Sequence, residues 1–146
     1  FSYAFKQPEG SAYPPILQLN HIEGPVKIDG AGGQIEFTPF EVAHGQITAL
    51  GFRIGPVAYL PDVSAMPPAA WEALAGIDCW ILDALRRDPH PSHSHLAQSI
   101  EWIDQSNVAR AVLTNMHNDL DYATLQVELP KHILPAFDGM VLSYDL

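Results

Sequence analysis

Histidine and aspartate side chains, which are common metal ligands, are concentrated in one stretch of the sequence, residues 88–122. Four of the seven histidines lie within it: His90, His93, His95 and His117. Imidazole and carboxylate groups together bind zinc, manganese or iron. An ion of this kind polarises a carbonyl or phosphoryl oxygen and activates water at neutral pH. The stretch therefore predicts one wall of a metal-dependent active site.

Two loops carry these histidines, one on each side of a predicted helix–strand unit. Apolar residues at positions 96, 100 and 103 recur at helical spacing, and residues 111–113 form a short apolar strand. In an open α/β sheet, the loops outside the carboxyl ends of the strands converge on one crevice. We therefore expect the histidine-rich loop, residues 88–95, and the loop that carries His117 to face each other.

Three further polar residues follow or end strand-like runs. His44 ends one such run, Asp62 follows the apolar run 57–60, and Asp83 follows the run 79–82. Side chains at these positions reach the edge of a sheet, so all three are candidate site residues. Asp62 is equally suited to capping the loop after the preceding proline, and the local sequence leaves both roles open.

Length and composition indicate one globular domain. A chain of 146 residues with 47% hydrophobic residues is long enough to bury a core. The net charge of −10 argues against a general nucleic-acid surface, because phosphate contacts need clustered basic residues. The single cysteine, Cys79, excludes an internal disulfide and favours a reducing, cytoplasmic setting. No apolar run is long enough to predict a membrane span.

The order of predicted elements indicates an α/β fold with α+β character. Strand-like segments come first, and from residue 57 onwards strands alternate with helices. We therefore predict a mixed β-sheet with flanking helices on one face. The early strand-like segments are ILQLNHI at 16–22, PVKI at 25–28, QIEFTPFEVAHG at 34–45 and ITALGFRIG at 47–55.

The order of short motifs along the chain resembles that of the metallo-β-lactamase-fold hydrolases. Within that family the sequence is most similar to the phosphonate-pathway cyclic phosphodiesterase group, and the tRNA 3′-processing nucleases are more distant. The resemblance covers nearly the whole chain and implies half of an αββα sandwich. The motifs are HG at 44–45, AYLPDVS at 58–64, LDAL at 82–85, PHPSH at 89–93, LTNMHNDLDY at 113–122 and AFDGM at 136–140.

The resemblance implies a metal role for three residues. His44 corresponds to a ligand of the first of two ions, Asp62 to the aspartate that bridges them, and His117 to a ligand of the second. The family often has a histidine directly after the threonine of the LT motif, where this chain has Asn115.

The resemblance also implies catalytic and supporting roles. His93 corresponds to a histidine near the scissile phosphate, a candidate general acid or substrate contact, and with Asp62 it forms the expected catalytic pair. His95 is a second expected substrate contact. Asp83 and His90 are expected to orient neighbouring histidines through hydrogen bonds.

The family's leading metal motif, HxHxDH, does not occur in these residues. The resemblance therefore implies that residues 1–146 are the carboxyl-terminal part of a metallo-β-lactamase-like domain. The resemblance implies two zinc or manganese ions in the full-length form. Because a catalytic zinc ion usually has three protein ligands, we expect partial occupancy or none in this chain.

With the placement of the histidines and aspartates, the resemblance implies a metal-dependent hydrolase that acts on a small (cyclic) phosphodiester or a nucleotide through a metal-bound hydroxide, with activity impaired in this chain. One alternative is an ester, lactone or thioester hydrolase, since the fold does not determine the substrate. Another is a non-catalytic half-domain that binds a ligand or assembles with a second copy as a homodimer.

Overall fold

The computed structural model describes residues 2–145, which contain seven β-strands and four α-helices. The strands are β1 (Val26–Gly30), β2 (Gly33–His44), β3 (Ile47–Ile54), β4 (Val57–Leu60), β5 (Cys79–Asp83), β6 (Arg110–Thr114) and β7 (Ile133–Pro135). The helices are α1 (Ser2–Phe5), α2 (Pro68–Ala73), α3 (Leu96–Ser106) and α4 (Tyr122–Glu128).

All seven strands belong to one mixed sheet whose spatial order follows the chain from β1 to β7. Strands β1 to β4 pair antiparallel, and β4 to β7 pair parallel. Helices α2, α3 and α4 are the crossovers between successive parallel strands. Because the strand order never reverses, right-handed crossovers place all three helices on the same face of the sheet.

The hydrophobic core lies between the sheet and these three helices. Trp80 and Leu82 of β5 alternate with residues that point to the other face, and both are fully buried. They pack in one cluster with Leu113 of β6, Ile103 of α3 and Leu125 of α4. This layer fixes the carboxyl ends of β4, β5 and β6 relative to one another.

The predicted mixed sheet with helices on one face is confirmed, but the strand predicted at 16–22 is wrong. Residues 16–22 contain no strand. The backbone amides of Ile16 and Leu17 both donate to the carbonyl oxygen of Ala4, at 3.1 and 2.9 Å. The segment therefore bonds to the first helix instead of a neighbouring strand, and its apolar side chains stay exposed.

Local sequence signals explain the helix ends. Pro68 occupies the first turn of α2, where its missing amide proton costs nothing. Asp121 caps α4 by accepting hydrogen bonds from the backbone and hydroxyl of Thr124, at 2.8 and 2.7 Å. Cys79 is free and buried, and burial raises the pKa of its thiol. None of the helices in residues 2–145 is long and apolar enough to cross a bilayer.

Candidate metal centre

Three of the predicted site residues, His44, Asp62 and His93, come together at one edge of the sheet. One ligand atom of each lies within 4.8 Å of the other two, and all three side chains are partly buried. His44 ends β2, Asp62 follows β4, and His93 lies in the loop between β5 and α3. Because β2 and β4 are both antiparallel to β3, they run in the same direction as β5. Their carboxyl ends therefore meet at the same edge.

The imidazole of His44 is oriented by the histidine-rich loop. Its Nδ1 lies 2.7 Å from the carbonyl oxygen of Ser92, which accepts the Nδ1 proton. This bond leaves Nε2 with a free lone pair, the state in which a histidine binds a metal ion.

Gly45 allows that loop to approach the end of the β2–β3 hairpin. Its φ of +63° lies in the left-handed region, which glycine adopts at low cost. A Cβ atom at this position would lie only 3.0 Å from the Cβ atom of Ser92. The glycine therefore serves both the turn and the contact that orients His44.

His93 is oriented by a buried carboxylate. Asp83 is fully buried, and its Oδ2 lies 2.8 Å from the Nδ1 of His93. A proton on Nδ1 bonds to this carboxylate, which leaves Nε2 free. The Oδ1 of Asp62 lies 3.8 Å from the same Nδ1, so two carboxylates flank one edge of the His93 ring.

The carboxylate of Asp83 has three hydrogen-bond donors around it. Besides His93, these are the backbone amide of Val63, at 3.4 Å from Oδ2, and the Nδ2 of Asn115, at 3.2 Å from Oδ1. Burial raises the pKa of Asp83, and the hydrogen bond from His93 acts in the opposite direction. A buried carboxylate with this many donors is a rigid support for His93.

Two buried serines attach the histidine-rich loop and helix α3 to the end of β5. The hydroxyls of Ser94 and Ser99 both donate to the backbone oxygen of Asp83, at 2.8 and 2.7 Å. Ser94 belongs to the loop and Ser99 to helix α3, and both side chains are fully buried. Hydrogen bonds away from water are costly to break, so the loop position is well defined.

Asn115 is part of this cluster, although the sequence analysis did not predict it as a site residue. Its φ of +58° is unusual for a residue other than glycine, and asparagine tolerates it best. Its Nδ2 donates to Asp83 and to the carbonyl oxygen of Pro61, at 3.3 Å. The Nδ1 of His93 is 3.4 Å away, but both nitrogens carry protons, so this contact is no hydrogen bond. The sequence feature that could have identified Asn115 is its position directly after the LT motif.

His90 lies beside the centre. Its ring centroid is 5.3 Å from that of His93, and its Nδ1 accepts a 3.3 Å hydrogen bond from the backbone amide of Ser92. Desolvation, and then the positive charge of Arg86, lower the pKa of His90. Its supporting role stays a prediction, since its hydrogen bonds among the described residues go to Ser92 and not to a histidine.

His117 and His95 lie outside the three-residue group found among residues 2–145. The side chain of His117 is 62% exposed, and its Nδ1 lies 3.4 Å from the Oδ1 of Asp119. His95 is the N-cap residue of α3, without a capping hydrogen bond from its side chain. The ligand role of His117 and the substrate role of His95 stay predictions.

The donor set of His44, Asp62 and His93 fits one divalent ion. Two imidazoles and one carboxylate suit zinc, iron or manganese. Both imidazoles use Nδ1 for a protein acceptor, so each keeps Nε2 for an ion. The arrangement can therefore hold an ion at a polar edge of the sheet.

Comparison with known proteins gives the same fold. A solved structure of a new diphosphatase from the PhnP family is 33% identical and superposes with a TM-score of 0.81, over 89% of this chain and 50% of that one. Zn²⁺-bound PqqB from Methylobacterium extorquens is 15% identical, with a TM-score of 0.63 over 87% of this chain and 56% of that one. At that identity the likeness concerns the fold alone.

A curated relative is the octanoyltransferase of Porphyromonas gingivalis (strain ATCC BAA-308 / W83), which is 30% identical over 143 residues. The match covers 94% of this chain but only 28% of that protein. The chain thus spans about half the length of the two solved structures and 28% of the length of the octanoyltransferase. Residues 1–116 match the model of the beta-lactamase superfamily domain. The chain therefore belongs to the beta-lactamase superfamily, with a metallo-β-lactamase fold close to that of the PhnP group.

Proposed function

We propose that this chain contributes to the active site of a metal-dependent hydrolase that cleaves a small phosphodiester or nucleotide. The observation that carries the proposal is the convergence of His44, Asp62 and His93 at the sheet edge, with the buried Asp83 behind His93. The superfamily match supports metal-dependent hydrolysis in general, and the 33% identity to a diphosphatase supports phosphate chemistry.

In this proposal His44, Asp62 and His93 hold a divalent ion, which supplies Lewis acidity and positive charge next to a phosphoryl group. The chain needs such a charge because its own net charge is −10. Its own residues do the positioning. Ser92 keeps the His44 ring turned so that Nε2 is available, and Asp83 does the same for His93.

The ligand role and the proton-donor role of His93 exclude each other in a single state, because an Nε2 that carries a proton has no lone pair for an ion. We assign His93 the ligand role, since one of its ring nitrogens lies within 4.8 Å of a ligand atom of His44 and of Asp62. Leaving-group dependence tests the alternative. A His93→Ala variant that loses activity mainly on poor leaving groups, with unchanged metal content, would instead support a general acid.

The proposed function is tested by metal content and by turnover of bis(p-nitrophenyl) phosphate, for the wild-type protein and for Asp62→Ala. The substitution should reduce both metal content and turnover. Glu101→Ala, which removes an exposed carboxylate from α3, should change neither. Equal metal content and equal turnover in the wild type and in Asp62→Ala would contradict the proposal.

Acyl hydrolysis is a second candidate, because a relative named as an octanoyltransferase is 30% identical over 94% of this chain. The match covers 28% of that protein, so its named activity belongs to a much longer chain. Turnover of p-nitrophenyl octanoate, measured beside bis(p-nitrophenyl) phosphate, discriminates between the two. Asp62-dependent cleavage of the octanoate alone would favour the acyl substrate.

The cytoplasm is the proposed setting, since the buried Cys79 is a free thiol. A homodimer is a further proposal, and light scattering of the purified protein tests it. A monomeric mass at micromolar concentration would rule the dimer out under those conditions.

A further inference from the structure

A pocket lies next to the candidate metal centre, between the loops that follow β6 and β7. Its volume is about 410 Å³, which is large enough for a small organic group. The two loops lie at the carboxyl ends of neighbouring parallel strands, where open α/β sheets bind ligands. The pocket is lined by Thr114, Asn115, Met116, Ala136, Phe137 and Asp138.

Asn115 connects this pocket with the metal centre. It lines the pocket, and its Nδ2 donates to the carboxylate of Asp83, which in turn holds His93. Thr114, also in the pocket wall, is the partner of Asp83 in the parallel ladder between β5 and β6. The pocket and the centre therefore share the carboxyl-terminal edge of the sheet, and one molecule can reach both.

An exposed aromatic ring forms part of the pocket wall. Phe137 is 53% exposed, which is high for so large an apolar side chain. The ring of Tyr122 packs against it at 5.9 Å and nearly at right angles, with an interplanar angle of 86°. Tyr122 is itself held by a 3.1 Å hydrogen bond between its hydroxyl and Gln126. The Phe137 ring thus has support from one neighbour and open surface for a flat ligand.

The charge in the pocket suits a neutral group that carries hydrogen-bond donors. Asp138 is the ionisable residue of the lining, and its carboxylate repels a phosphate. A carboxylate accepts hydrogen bonds from amino or hydroxyl groups. Phosphate therefore belongs at the metal centre, and an aromatic group with polar hydrogens belongs in the pocket.

We propose that this pocket binds the nucleoside part of the substrate, with the base stacked on Phe137 and a base amino or ribose hydroxyl group bonded to Asp138. The proposal rests on the proposed function and narrows it to nucleotide-type phosphoesters. Stacking of a base on an aromatic side chain contributes enough binding free energy for a preference of about tenfold. Neither stacking nor an aromatic wall is needed to hydrolyse a small alkyl or cyclic sugar diester.

Calorimetric titration of the protein with adenosine 5′-monophosphate and with ribose 5-phosphate tests this inference. The two probes share a sugar phosphate, and only the first carries a base. We expect the nucleotide to bind about tenfold more tightly. Phe137→Ala should abolish this preference and leave the affinity for ribose 5-phosphate unchanged, whereas Phe137→Trp should preserve it. Val127→Ala, which removes an exposed apolar side chain of α4 outside the pocket lining, is the matched control.

Equal affinities for the two probes in the wild type would overturn the inference, and so would a preference that survives Phe137→Ala. Turnover of bis(p-nitrophenyl) phosphate in the same samples separates this result from the proposed function. Asp62-dependent turnover without a base preference refutes only the nucleoside pocket. A Phe137-dependent base preference without turnover supports the pocket and refutes the chemistry.

Discussion

Replacing Asp83 by Asn tests whether the buried carboxylate controls the state of His93. The two side chains have nearly the same shape, so the substitution leaves no cavity. In the wild type, the Asp83 carboxylate accepts from the Nδ1 of His93 at 2.8 Å and from the Nδ2 of Asn115 at 3.2 Å. An asparagine at this position offers only one oxygen, so its own amide group must face one of these two donors.

The cheapest way to remove that conflict is a change of tautomer in His93. Its Nδ1 then accepts from the new amide, and the proton moves to Nε2, which loses the lone pair that an ion requires. Loss of such a supporting carboxylate typically costs 10- to 100-fold in metal affinity. For Asp83→Asn we therefore expect the Zn²⁺ affinity to fall about 10- to 100-fold. The stability of the fold, measured as the urea midpoint of unfolding, should change far less.

Chelator competition measures the Zn²⁺ affinity, and nitrogen-15 NMR of the imidazole reports which ring nitrogen carries the proton. Glu101→Gln is the control, because it removes an exposed carboxylate charge from α3, outside the three-residue group of the centre. An affinity within twofold of the wild type, together with an unchanged His93 tautomer, would refute the role given to Asp83. A large loss in both variants would point to a general effect of charge instead.

Two further predictions concern stability. Gly51→Ala places a methyl group against the ring of Phe40 and should lower the free energy of unfolding by about 1–3 kcal/mol. Gly24→Ala is the control, because its added methyl group meets no atom within 4 Å. Urea titration measures both variants, and equal midpoints would contradict the packing at Gly51. Asp121→Ala removes the cap of α4 and should lower the urea midpoint at pH 7. Hydrogen bonds from Thr124 hold the pKa of Asp121 below its usual 3.8, so the cap stabilises above that pH and is lost as the pH falls through the lower folded-state pKa. The midpoint difference should therefore shrink in acid, and a constant difference would show that charge is not involved.

Local patterns in the sequence were sufficient to predict most of the fold. The alternation of apolar strands with helical spacing after residue 57 marks β4 to β7 and the helices between them. Strand ends follow from the same runs, which is why His44 and Asp62 were predicted at a sheet edge. The segment 16–22 shows the limit of this argument. Its apolar alternation is typical of a strand, but a strand also needs a neighbour to pair with, and local sequence does not encode one.

The candidate site was predictable in residue types but not in every side chain. His117 was the predicted ligand of its loop, whereas Asn115 is the residue whose side chain contacts Asp83. The left-handed backbone at Asn115 turns the loop at that point, and spacing in sequence does not reveal which way a loop turns. The hydrogen bonds of the Asn115 side chain join residues that are 32 and 54 positions apart. Contacts of that range depend on the assembled sheet.

The contact between the β2–β3 turn and the histidine-rich loop has a kinetic consequence. His44 and Ser92 are 48 positions apart, and they meet only when the antiparallel hairpin and the parallel layer have both formed. We therefore expect this contact to form late in folding, and a φ value near zero for a substitution at His44 would confirm it. Interactions absent from the transition state change the unfolding rate and leave the folding rate nearly constant. On that expectation, an ion held by both His44 and His93 would slow unfolding and leave the folding rate nearly unchanged.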